Sequence, residues 1–192
     1  MLSELNKMVK GELYNSFDTQ LVLLRQRASD ILSTLNSLSP SREEEKIILL
    51  STLFKRDVCG IKINTPFSCD YGINIKVGKE CVFDYGCIMN DGGVIQIGDR
   101  CNIGPGVFIT TAKKVSPKVE RLEGLETTMP VVIGDDVWIG AGSVIHAGVI
   151  IGNGTAISPE SVVTRNIPAN CIAGGNPCQV IKWLEEDDDI IL

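Results

Sequence analysis

The sequence has few of the residues from which metal sites and membrane spans are made. It contains one histidine, His146, and its seven cysteines form no Cys-x-x-Cys pair. A zinc site built from several histidines of one chain, or one with zinc-knuckle spacing, is therefore excluded, and we predict no bound metal. The aliphatic stretch nearest to a membrane span, 131–157, is interrupted by glycines and by Asp135 and Asp136, which argues against membrane insertion.

The chain also has fewer positively than negatively charged side chains. The chain carries 18 lysines and arginines against 24 aspartates and glutamates, a net charge of -6, which argues against a nucleic-acid surface. The acidic run 185–189 is typical of a solvated tail. The N-terminus has no basic segment followed by an apolar one, so we expect no signal peptide. Since an odd number of cysteines suits a reducing compartment, we predict a cytoplasmic protein.

Residues 1–57 have the periodicity of helices. Apolar side chains recur at steps of three and four residues and form one stripe, made of Leu21, Leu24, Ala28, Ile31, Leu35 and Leu38. Ser39 and Pro40 then favour the start of a second helix, with the serine as N-cap and the proline in the first position. Because short helices need a partner surface, we predict a helical leader that packs on the rest of the chain.

From residue 58 the composition changes to glycine and β-branched residues, and a six-residue repeat begins. Its aliphatic positions are Ile133, Ile139, Ile145, Ile151, Ile157 and Val163, with the same step at Val77, Phe83 and Met89 and at Ile97, Ile103 and Ile109. Four places after these stand slim residues: Cys81, Cys87, Cys101, Val107, Val137, Ser143, Val149, Thr155 and Ser161. We interpret the three cysteines among them as buried thiols that pack as small apolar side chains.

A six-residue step fits neither a helix face nor a simple hairpin, but it fits a coil with flat sides. Three short strands make one turn, and each turn stacks on the last at a strand spacing of about 4.8 Å. Corners that need a positive φ suit glycine, and the candidates are Gly134, Gly140, Gly152 and Gly154. The repeat predicts a mainly β fold, with a parallel β-helix over 58–182, followed by an acidic tail over 183–192.

Segments outside the repeat make a family resemblance specific. They are KMVKGELYNSFDTQLVLLRQRA (7–28), PFSCDYGINI (66–75), RLEGLETTMPVVIGDDVWIG (121–140) and VVTRNIPANCIAGGNPCQVIK (162–182), and they resemble the maltose and galactoside O-acetyltransferases among the hexapeptide-repeat acyltransferases. The resemblance implies a left-handed parallel β-helix with N-terminal α-helices and a loop extruded near 110–130. The same resemblance implies assembly as a homotrimer with its sites between two subunits. It also implies acetyl-CoA as co-substrate and a sugar or similar small molecule as acceptor.

One position departs from that family's catalytic pattern. The family's extruded loop holds a histidine that removes the acceptor proton, followed seven residues later by an arginine and then Gly-x-Glu. Here Arg121, Gly124 and Glu126 match, but Lys114 stands seven places before Arg121. An ordinary lysine, with a pKa of about 10.4, is protonated at neutral pH, so it can act as a base only if burial or neighbouring charges lower its pKa. The resemblance makes Lys114 and Glu126 the catalytic candidates, and we interpret His146, in a later coil, as a surface or intersubunit residue.

The resemblance also implies a groove for acetyl-CoA. Thr164 and Arg165 match the family's Thr-Lys pair, and Trp138 matches its groove tryptophan. The family's Gly-Ala-Gly is replaced by the bulkier and acidic sequence 158–160, and one of the two basic residues common in its last segment is Gln179. The acetyl-CoA contacts that the resemblance implies are Trp138, Ala141, Pro159, Thr164, Arg165 and Lys182.

Acceptor contacts are implied in the same way. Arg25 in the leader and Asp70 in the CDYG segment match the family, Asp84 begins the segment that replaces its Asn-x-Asn, and Asp91 keeps an aspartate. These carboxylates, with Glu126, can hold sugar hydroxyls by charge-assisted hydrogen bonds. Each can instead be a corner residue that accepts from nearby backbone N–H groups.

Functions of different classes remain open at this point. One is an acetyl-CoA-dependent O-acetyltransferase in which Lys114 or another group replaces the histidine, and the intact frame favours it. Loss of a general base typically costs 10²- to 10⁴-fold, so we expect slow or altered transfer. Another is a trimeric binding or scaffold protein that kept the fold and lost the reaction, which the altered groove positions favour. The third is a related transferase with a different acceptor or acyl donor.

Overall fold

The computed structural model describes residues 2–58, 60–114 and 118–185, apart from the side chains of Lys114, Glu120 and Arg121. The chain begins with α1 (Glu4–Lys10), β1 (Tyr14–Asn15), α2 (Thr19–Ser37) and α3 (Glu43–Phe54). Ser3 caps α1 and Asp18 caps α2 by accepting hydrogen bonds from backbone N–H groups of the first turn. The leader is therefore helical, interrupted by one short strand.

The third helix begins later than the sequence predicts. Arg42, not Ser39, occupies the N-cap of α3 and makes no side-chain cap bond. The first turn consists of the glutamates 43–45, whose charge the positive end of the helix dipole stabilises. The predicted start at Ser39 and Pro40 is therefore wrong, because those residues form a turn before the helix.

Short strands make up the rest of the described chain. In order they are β2 (Lys62–Ile63), β3 (Ser68–Cys69), β4 (Ile75–Val77), β5 (Val82–Phe83), β6 (Ile88–Asn90), β7 (Ile95–Ile97), β8 (Asn102–Ile103), β9 (Phe108–Thr110), β10 (Ala112–Lys114), β11 (Leu125–Thr128) after the short helix α4 (Lys118–Leu122), β12 (Val131–Ile133), β13 (Trp138–Ile139), β14 (Val144–Ile145), β15 (Ile150–Ile151), β16 (Ala156–Ile157), β17 (Val162–Val163), β18 (Cys171–Gly174) and β19 (Gln179–Trp183).

These strands wind into a three-sided prism, and each side is a sheet of parallel strands. Sheet 1 has the order β15-β12-β7-β4, sheet 2 has β19-β18-β16-β13-β8-β5-β2, and sheet 3 has β17-β14-β9-β6-β3. In each face the repeat residues pair directly across neighbouring coils, as Ile139 does with Ile103 and Ile157. Only the last pair departs from this pattern among the described strands of the prism, since β19 turns back and pairs with β18 in antiparallel orientation. The mainly β class, with a parallel β-helix and N-terminal helices, is confirmed.

The repeat residues fill the prism. From Ile133 to Val163 the residues six apart are at most 1% exposed, and so are the slim residues four places after them. Cys81, Cys87 and Cys101 hold the same slim position in the earlier coils and are equally buried, which confirms them as buried thiols. Burial raises the pKa of Cys87 to about 11. Helices α2 and α3 cover the first coil, where Phe54 meets Phe67 edge to face with ring centroids 6.1 Å apart.

The corner glycines have a different role from the predicted one at three of four positions. Gly154 has a φ of +63°, as predicted for a corner. A Cβ added to Gly140 would lie 2.4 Å from the backbone nitrogen of Pro159 in the next coil, and Gly134 and Gly152 are crowded in the same way. These three positions therefore require glycine because the next coil lies too close for a side chain, not because of φ.

Two long edges of the prism position the candidate site. We call the corner between sheets 3 and 1 the loop edge; its positions after successive strands are Asp70, Asp91, Thr111, His146 and Thr164. We call the corner between sheets 2 and 3 the far edge; it carries Asp84, Ala141 and Pro159. The segment 111–130, which contains β10, α4 and β11, leaves the prism at the loop edge.

The predicted acidic tail lies outside the described residues from 186 onward. Within the described ranges, every helix is too short or too polar to cross a bilayer.

The buried repeat residues of the coils should contribute most to the free energy of unfolding. Ile139 is 0% exposed, and Ile139→Ala should lower the free energy of unfolding by roughly 2–5 kcal/mol through lost burial and a residual cavity. The matched control is Ile48→Ala on α3, where the side chain is 64% exposed, and its effect should stay within about 0.5 kcal/mol. Urea denaturation followed by circular dichroism measures both. Equal losses in the two variants would contradict the stacked core.

Candidate functional site

A small antiparallel sheet joins the leader to the extruded segment. Strand β11 pairs on one side with β10 and on the other with β1 of the leader. In this sheet Tyr14 lies opposite Glu126, and Glu126 lies opposite Lys114. Residues that are 112 positions apart in sequence are thus neighbours at the loop edge, and the leader forms part of the site.

Hydrogen bonds hold the leader and the extruded segment together. The buried hydroxyl of Thr128 donates to the carbonyl oxygen of Met8 over 2.6 Å, and both the backbone N–H and the hydroxyl of Ser16 donate to the carbonyl oxygen of Gly124. At Gly11, which ends α1 with a φ of +75°, a Cβ would lie 2.7 Å from the carbonyl oxygen of Thr128. This close approach fixes the position of β11 against the leader.

A cavity of about 220 Å³ lies where the leader, the first coils and the extruded segment meet. It is lined by Tyr14, Ser16, Arg25, Asp70, Tyr71, Gly92, Ala112 and Glu126. Three of these side chains carry a carboxylate or a guanidinium group and two are phenols. Such a lining can accept and donate hydrogen bonds to a polyhydroxylated ligand.

Tyr14 and Glu126 form the central contact of this cavity. The phenol of Tyr14, which is 3% exposed, donates to Oε2 of Glu126 over 3.1 Å. Burial, followed by the negative charge of Glu126, raises the pKa of Tyr14, so the phenol stays protonated and acts as a donor at neutral pH. Of the two predicted catalytic residues, Glu126 lines the cavity. Lys114 is described only in its backbone, so its side chain and its role as a base stay a prediction.

The predicted acceptor residue Arg25 spans the cavity from α2. Its guanidinium group donates to the phenol oxygen of Tyr71 over 2.5 Å and to the carbonyl oxygen of Ser16 over 2.8 Å. It also lies 5.6 Å from the centroid of the Tyr71 ring, within cation–π range. Arg25 is thus held in place by the leader and by the first coil together.

The predicted acceptor residues Asp70 and Asp91 differ in their surroundings. Asp70 lines the cavity and accepts a hydrogen bond from the amide of Asn90 over 3.0 Å, and burial is the main cause of its raised pKa. Asp91 is 0% exposed, and its carboxylate accepts from the backbone N–H groups of Asp70, Tyr71 and Asn74. Burial raises the pKa of Asp91 to about 7. Its contacts support a positioning role for Asp91, and its binding of the acceptor stays a prediction.

The fourth predicted acceptor residue lies elsewhere. Asp84 is on the far edge, where its carboxylate accepts from the amide of Asn64 over 3.2 Å and from the backbone N–H of Tyr85 over 2.9 Å. It does not line the 220 Å³ cavity of this chain. The single chain therefore brings together Arg25 and Asp70 but not Asp84.

The predicted acetyl-CoA residues fall into separate groups. Ala141 and Pro159 stack on the far edge, where the backbone N–H of Glu160 donates to the carbonyl oxygen of Ala141. Trp138 is half-buried on the adjacent face, in the same row as Lys182 on β19. Thr164 and Arg165 are exposed at the loop edge, across sheet 3 from the others. One copy of the chain does not unite these six residues.

His146 is exposed at the loop edge, one coil beyond the base of the extruded segment. Its backbone N–H donates to the carbonyl oxygen of Val163, which places it beside Thr164. It is not among the residues that line the 220 Å³ cavity. Within the described ranges, no group of three or more His, Cys, Asp and Glu side chains is placed to hold a metal ion.

Sequence reasoning missed part of the cavity lining. Tyr14, Ser16 and Tyr71 were not predicted, although they lie in the same GELYNSF and CDYG segments that gave the resemblance. The available signal was an aromatic residue within three positions of a glycine in each segment, Tyr14 after Gly11 and Tyr71 before Gly72. Pairing of β1 with the extruded segment has no counterpart in local sequence pattern, so the position of Tyr14 required the structure.

Two family descriptions match the chain. The maltose acetyltransferase hexapeptide capping motif matches residues 7–56, which are the leader, and the bacterial transferase hexapeptide with six repeats matches residues 130–165. A Saccharomyces cerevisiae protein that carries the name acetyltransferase is 41% identical over 185 residues, which cover 96% of this chain and 94% of that protein. The similarity therefore includes both the leader and the prism.

Solved structures extend this similarity to three dimensions. The crystal structure of a maltose O-acetyltransferase from Clostridium difficile 630 has a TM-score of 0.91 and 38% identity, covering 96% of this chain and 99% of that one. A hexapeptide-repeat-containing acetyltransferase of Vibrio cholerae O1 biovar eltor, solved in complex with acetyl coenzyme A, has a TM-score of 0.84 and 32% identity, covering 96% and 100%. Leader, prism and extruded segment thus share one arrangement with proteins of that name.

The contact between Tyr14 and Glu126 can be tested by removing one oxygen atom. Tyr14→Phe should lower the free energy of unfolding by roughly 1.5 kcal/mol, the lower end for a hydrogen bond to a charged group, because water can reach Glu126 through the cavity. Tyr85→Phe is the matched control, since Tyr85 is 60% exposed and its change should be close to zero. Urea denaturation compares the two, and an unchanged midpoint for Tyr14→Phe would contradict the bond.

Proposed function

Since this chain belongs to the hexapeptide-repeat acetyltransferases and is an acyltransferase, we propose that it moves an acetyl group from acetyl-CoA to a hydroxyl of a sugar or similar small acceptor. The observation that carries this proposal is the cavity lined by Arg25, Asp70 and Glu126 at the junction of leader, first coils and extruded segment. A chain that had kept only a scaffold role would have no need to hold the leader and the extruded segment together around such a cavity. The names of the maltose and acetyl-CoA-bound relatives support the same substrates.

The acceptor is held by groups of both signs. Arg25 donates, the carboxylates of Asp70 and Glu126 accept, and a sugar hydroxyl can do both at once. Asp91 acts indirectly, because its carboxylate accepts hydrogen bonds that hold the backbone of Asp70 and Tyr71 in place. This arrangement orients one hydroxyl without requiring charge on the acceptor, which supports a neutral sugar.

The transfer itself is direct. The acceptor oxygen attacks the thioester carbonyl carbon, and the hydroxyl proton passes to a base. The carbon–sulfur bond then breaks, coenzyme A leaves as the thiolate, and the base returns the proton to the sulfur or to water. Lys114 occupies the position of the base in our proposal, with Glu126 beside it across the β10–β11 pair. A neutral lysine is required, so the transfer rate should rise with pH until the Lys114 ammonium group has lost its proton.

The homotrimer is part of the proposal. Trp138, Ala141 and Pro159 on one side, and Thr164 and Arg165 on the other, are separated by sheet 3 within one chain. A neighbouring copy that placed its far edge against the loop edge would complete the acetyl-CoA groove and would also bring Asp84 to the acceptor cavity. Lys182 would then serve the phosphates from the end of the prism. A cytoplasmic location remains a prediction from cysteine usage.

Binding of acetyl-CoA is tested by thermal unfolding. A ligand that binds only the folded state at 100 times its Kd adds about 2.7 kcal/mol to the free energy of unfolding, which raises the melting temperature measurably. Arg165→Ala should reduce this shift, whereas the exposed Lys76→Ala on sheet 1 should not. The absence of any shift at millimolar acetyl-CoA, together with no transfer to a panel of sugars, would overturn the transferase and favour the binding or scaffold protein.

The base is tested by restoring a histidine. Lys114→His should raise the rate of acetyl transfer at pH 7 by at least about tenfold, because imidazole, with a pKa near 6.5, is largely neutral there. Lys113→His is the matched control: neighbouring side chains on a strand point to opposite faces, so it should leave the rate unchanged. The measurement is the release of the coenzyme A thiol with pH. Equal effects of both variants, or no effect of either, would remove Lys114 from the base position.

A further inference from the structure

The extruded segment leaves and rejoins the prism at two buried threonines. Thr111 is 0% exposed and Thr128 is 3% exposed. The backbone N–H of Met129 donates to the carbonyl oxygen of Thr111 over 2.9 Å, and Thr128 lies opposite Ala112 in the β10–β11 pair. The two ends of the segment are therefore bonded to each other, and we call Thr111 and Thr128 the threonine pair.

Thr111 joins one end of the segment to the coil that carries Asp91. Its hydroxyl donates to the carbonyl oxygen of Asn90 over 2.8 Å and accepts from the backbone N–H of Gly93, also over 2.8 Å. These two bonds lie on either side of Asp91 in the sequence, and the Asp91 carboxylate accepts from the backbone N–H of Asp70. This end of the segment is thus fixed to a coil that lines the acceptor cavity.

Thr128 joins the other end of the segment to the leader. Its hydroxyl donates to the carbonyl oxygen of Met8 over 2.6 Å, a bond between residues 120 positions apart. The same oxygen accepts from the backbone N–H of Gly11, which ends α1, over 3.2 Å. Carbonyl groups in the last turn of a helix need partners from outside the helix, and Thr128 supplies one. The bond therefore connects β11 to the end of α1.

Gly92 and Gly93 lie between the two threonines. A Cβ added to Gly93 would be 3.0 Å from Cβ and Oγ1 of Thr128 and 3.3 Å from Cβ of Thr111. A Cβ added to Gly92 would be 3.1 Å from Cγ2 of Thr128 and 3.5 Å from the phenol oxygen of Tyr14. The threonine pair therefore packs directly on the backbone beside Tyr14, with no space for a side chain at either glycine.

The position of Thr128 determines where Glu126 stands. Their side chains lie on one face of β11, because residues two positions apart on a strand point to the same side. They are about 7 Å apart along the strand, and Lys114 is opposite Glu126 on β10. A tilt of β11 at Thr128 would therefore move both residues relative to Asp70. Displacement by about 1 Å can reduce the rate of an enzyme by about 100-fold.

We propose that Thr128 is a positioning residue for acetyl transfer, because its bond to the leader fixes Glu126 and Lys114 relative to the acceptor. The inference rests on the proposed function for the roles of these two residues. Thr128 is not among the residues that line the cavity, so it acts through β11 and not by touching the acceptor. Thr111 acts in the same way from the prism, but its hydroxyl also joins two parts of one coil, so Thr128 is the residue to test.

Three substitutions on β11 test the role of the hydroxyl. Thr128→Val keeps the shape of the side chain and removes the donor, so kcat should fall about tenfold or more while the KM for acetyl-CoA stays within about twofold. Thr128→Ser keeps the donor and should retain at least about a third of the wild-type kcat. Thr127→Val is the matched control, because this side chain lies on the opposite face of β11, where its hydroxyl donates to the carbonyl oxygen of Lys113 over 3.2 Å.

The control should keep kcat within about twofold of the wild type. Initial rates of coenzyme A thiol release, with the sugar that the wild type acetylates best, give kcat and KM for all four proteins. A wild-type kcat in Thr128→Val, an equal loss in Thr127→Val, or a Thr128→Ser variant as slow as Thr128→Val would each overturn the positioning role.

Amide hydrogen exchange, followed by mass spectrometry without substrates, supplies a readout that does not depend on activity. Thr128→Val should exchange faster than the wild type in peptides that cover 4–15 and 122–129, where the lost bond held two segments together. Peptides that cover 131–157 in the prism should be unchanged. Unchanged exchange in the first two regions, or faster exchange in the prism as well, would contradict a local effect on β11.

The two measurements separate this inference from the proposed function. If the wild type acetylates no sugar, the proposed acceptor fails, and the exchange pattern alone decides whether Thr128 positions β11. If sugars are acetylated and Thr128→Val is as fast as the wild type, the positioning role fails and the proposed function stands.

Discussion

The direct pairing of inward residues between successive coils is the constraint on which the structure depends. Ile103, Ile139 and Ile157 stand in one column, and equivalent columns fill the other two faces. Because each coil repeats at the strand spacing of about 4.8 Å, every corner position is placed directly above its counterpart. The loop edge and the far edge therefore exist as continuous lines, and a residue's place in the repeat decides which part of the site it can reach.

The leader contributes walls to the cavity as well as stability to the core. Helices α2 and α3 cover the apolar first coil, and β1 pairs with β11 of the extruded segment. The cavity consequently has walls from three parts of the sequence that are far apart. Tyr14 and Arg25 come from the leader, Asp70 from the first coil, and Glu126 from the extruded segment. Removing the leader would therefore expose the core and dismantle the cavity at the same time.

The sequence predicted best what depends on the repeat. The buried columns from Ile133 to Val163 and the buried thiols were found because their period is strict. Three of the four corner glycines were misassigned, since crowding by the next coil at Gly140 is a tertiary effect that resembles a φ preference in sequence. The start of α3 was placed at Ser39, although the chain turns there before the helix begins at Glu43. The pairing of Tyr14 with Glu126 joins distant segments, and no local pattern encodes it.

The reversal of direction between β18 and β19 has a consequence for how the molecule can associate. A parallel coil ends in open strands that could template another coil, and stacked copies would then grow into a fibre. Here the chain folds back along its own last full rung of sheet 2, while the helices occupy the opposite end. In the part of the chain that the structure describes, neither end of the prism therefore presents a bare parallel coil on which a second copy could stack. Contacts between copies are thereby directed to the flanks, where an assembly can close on itself.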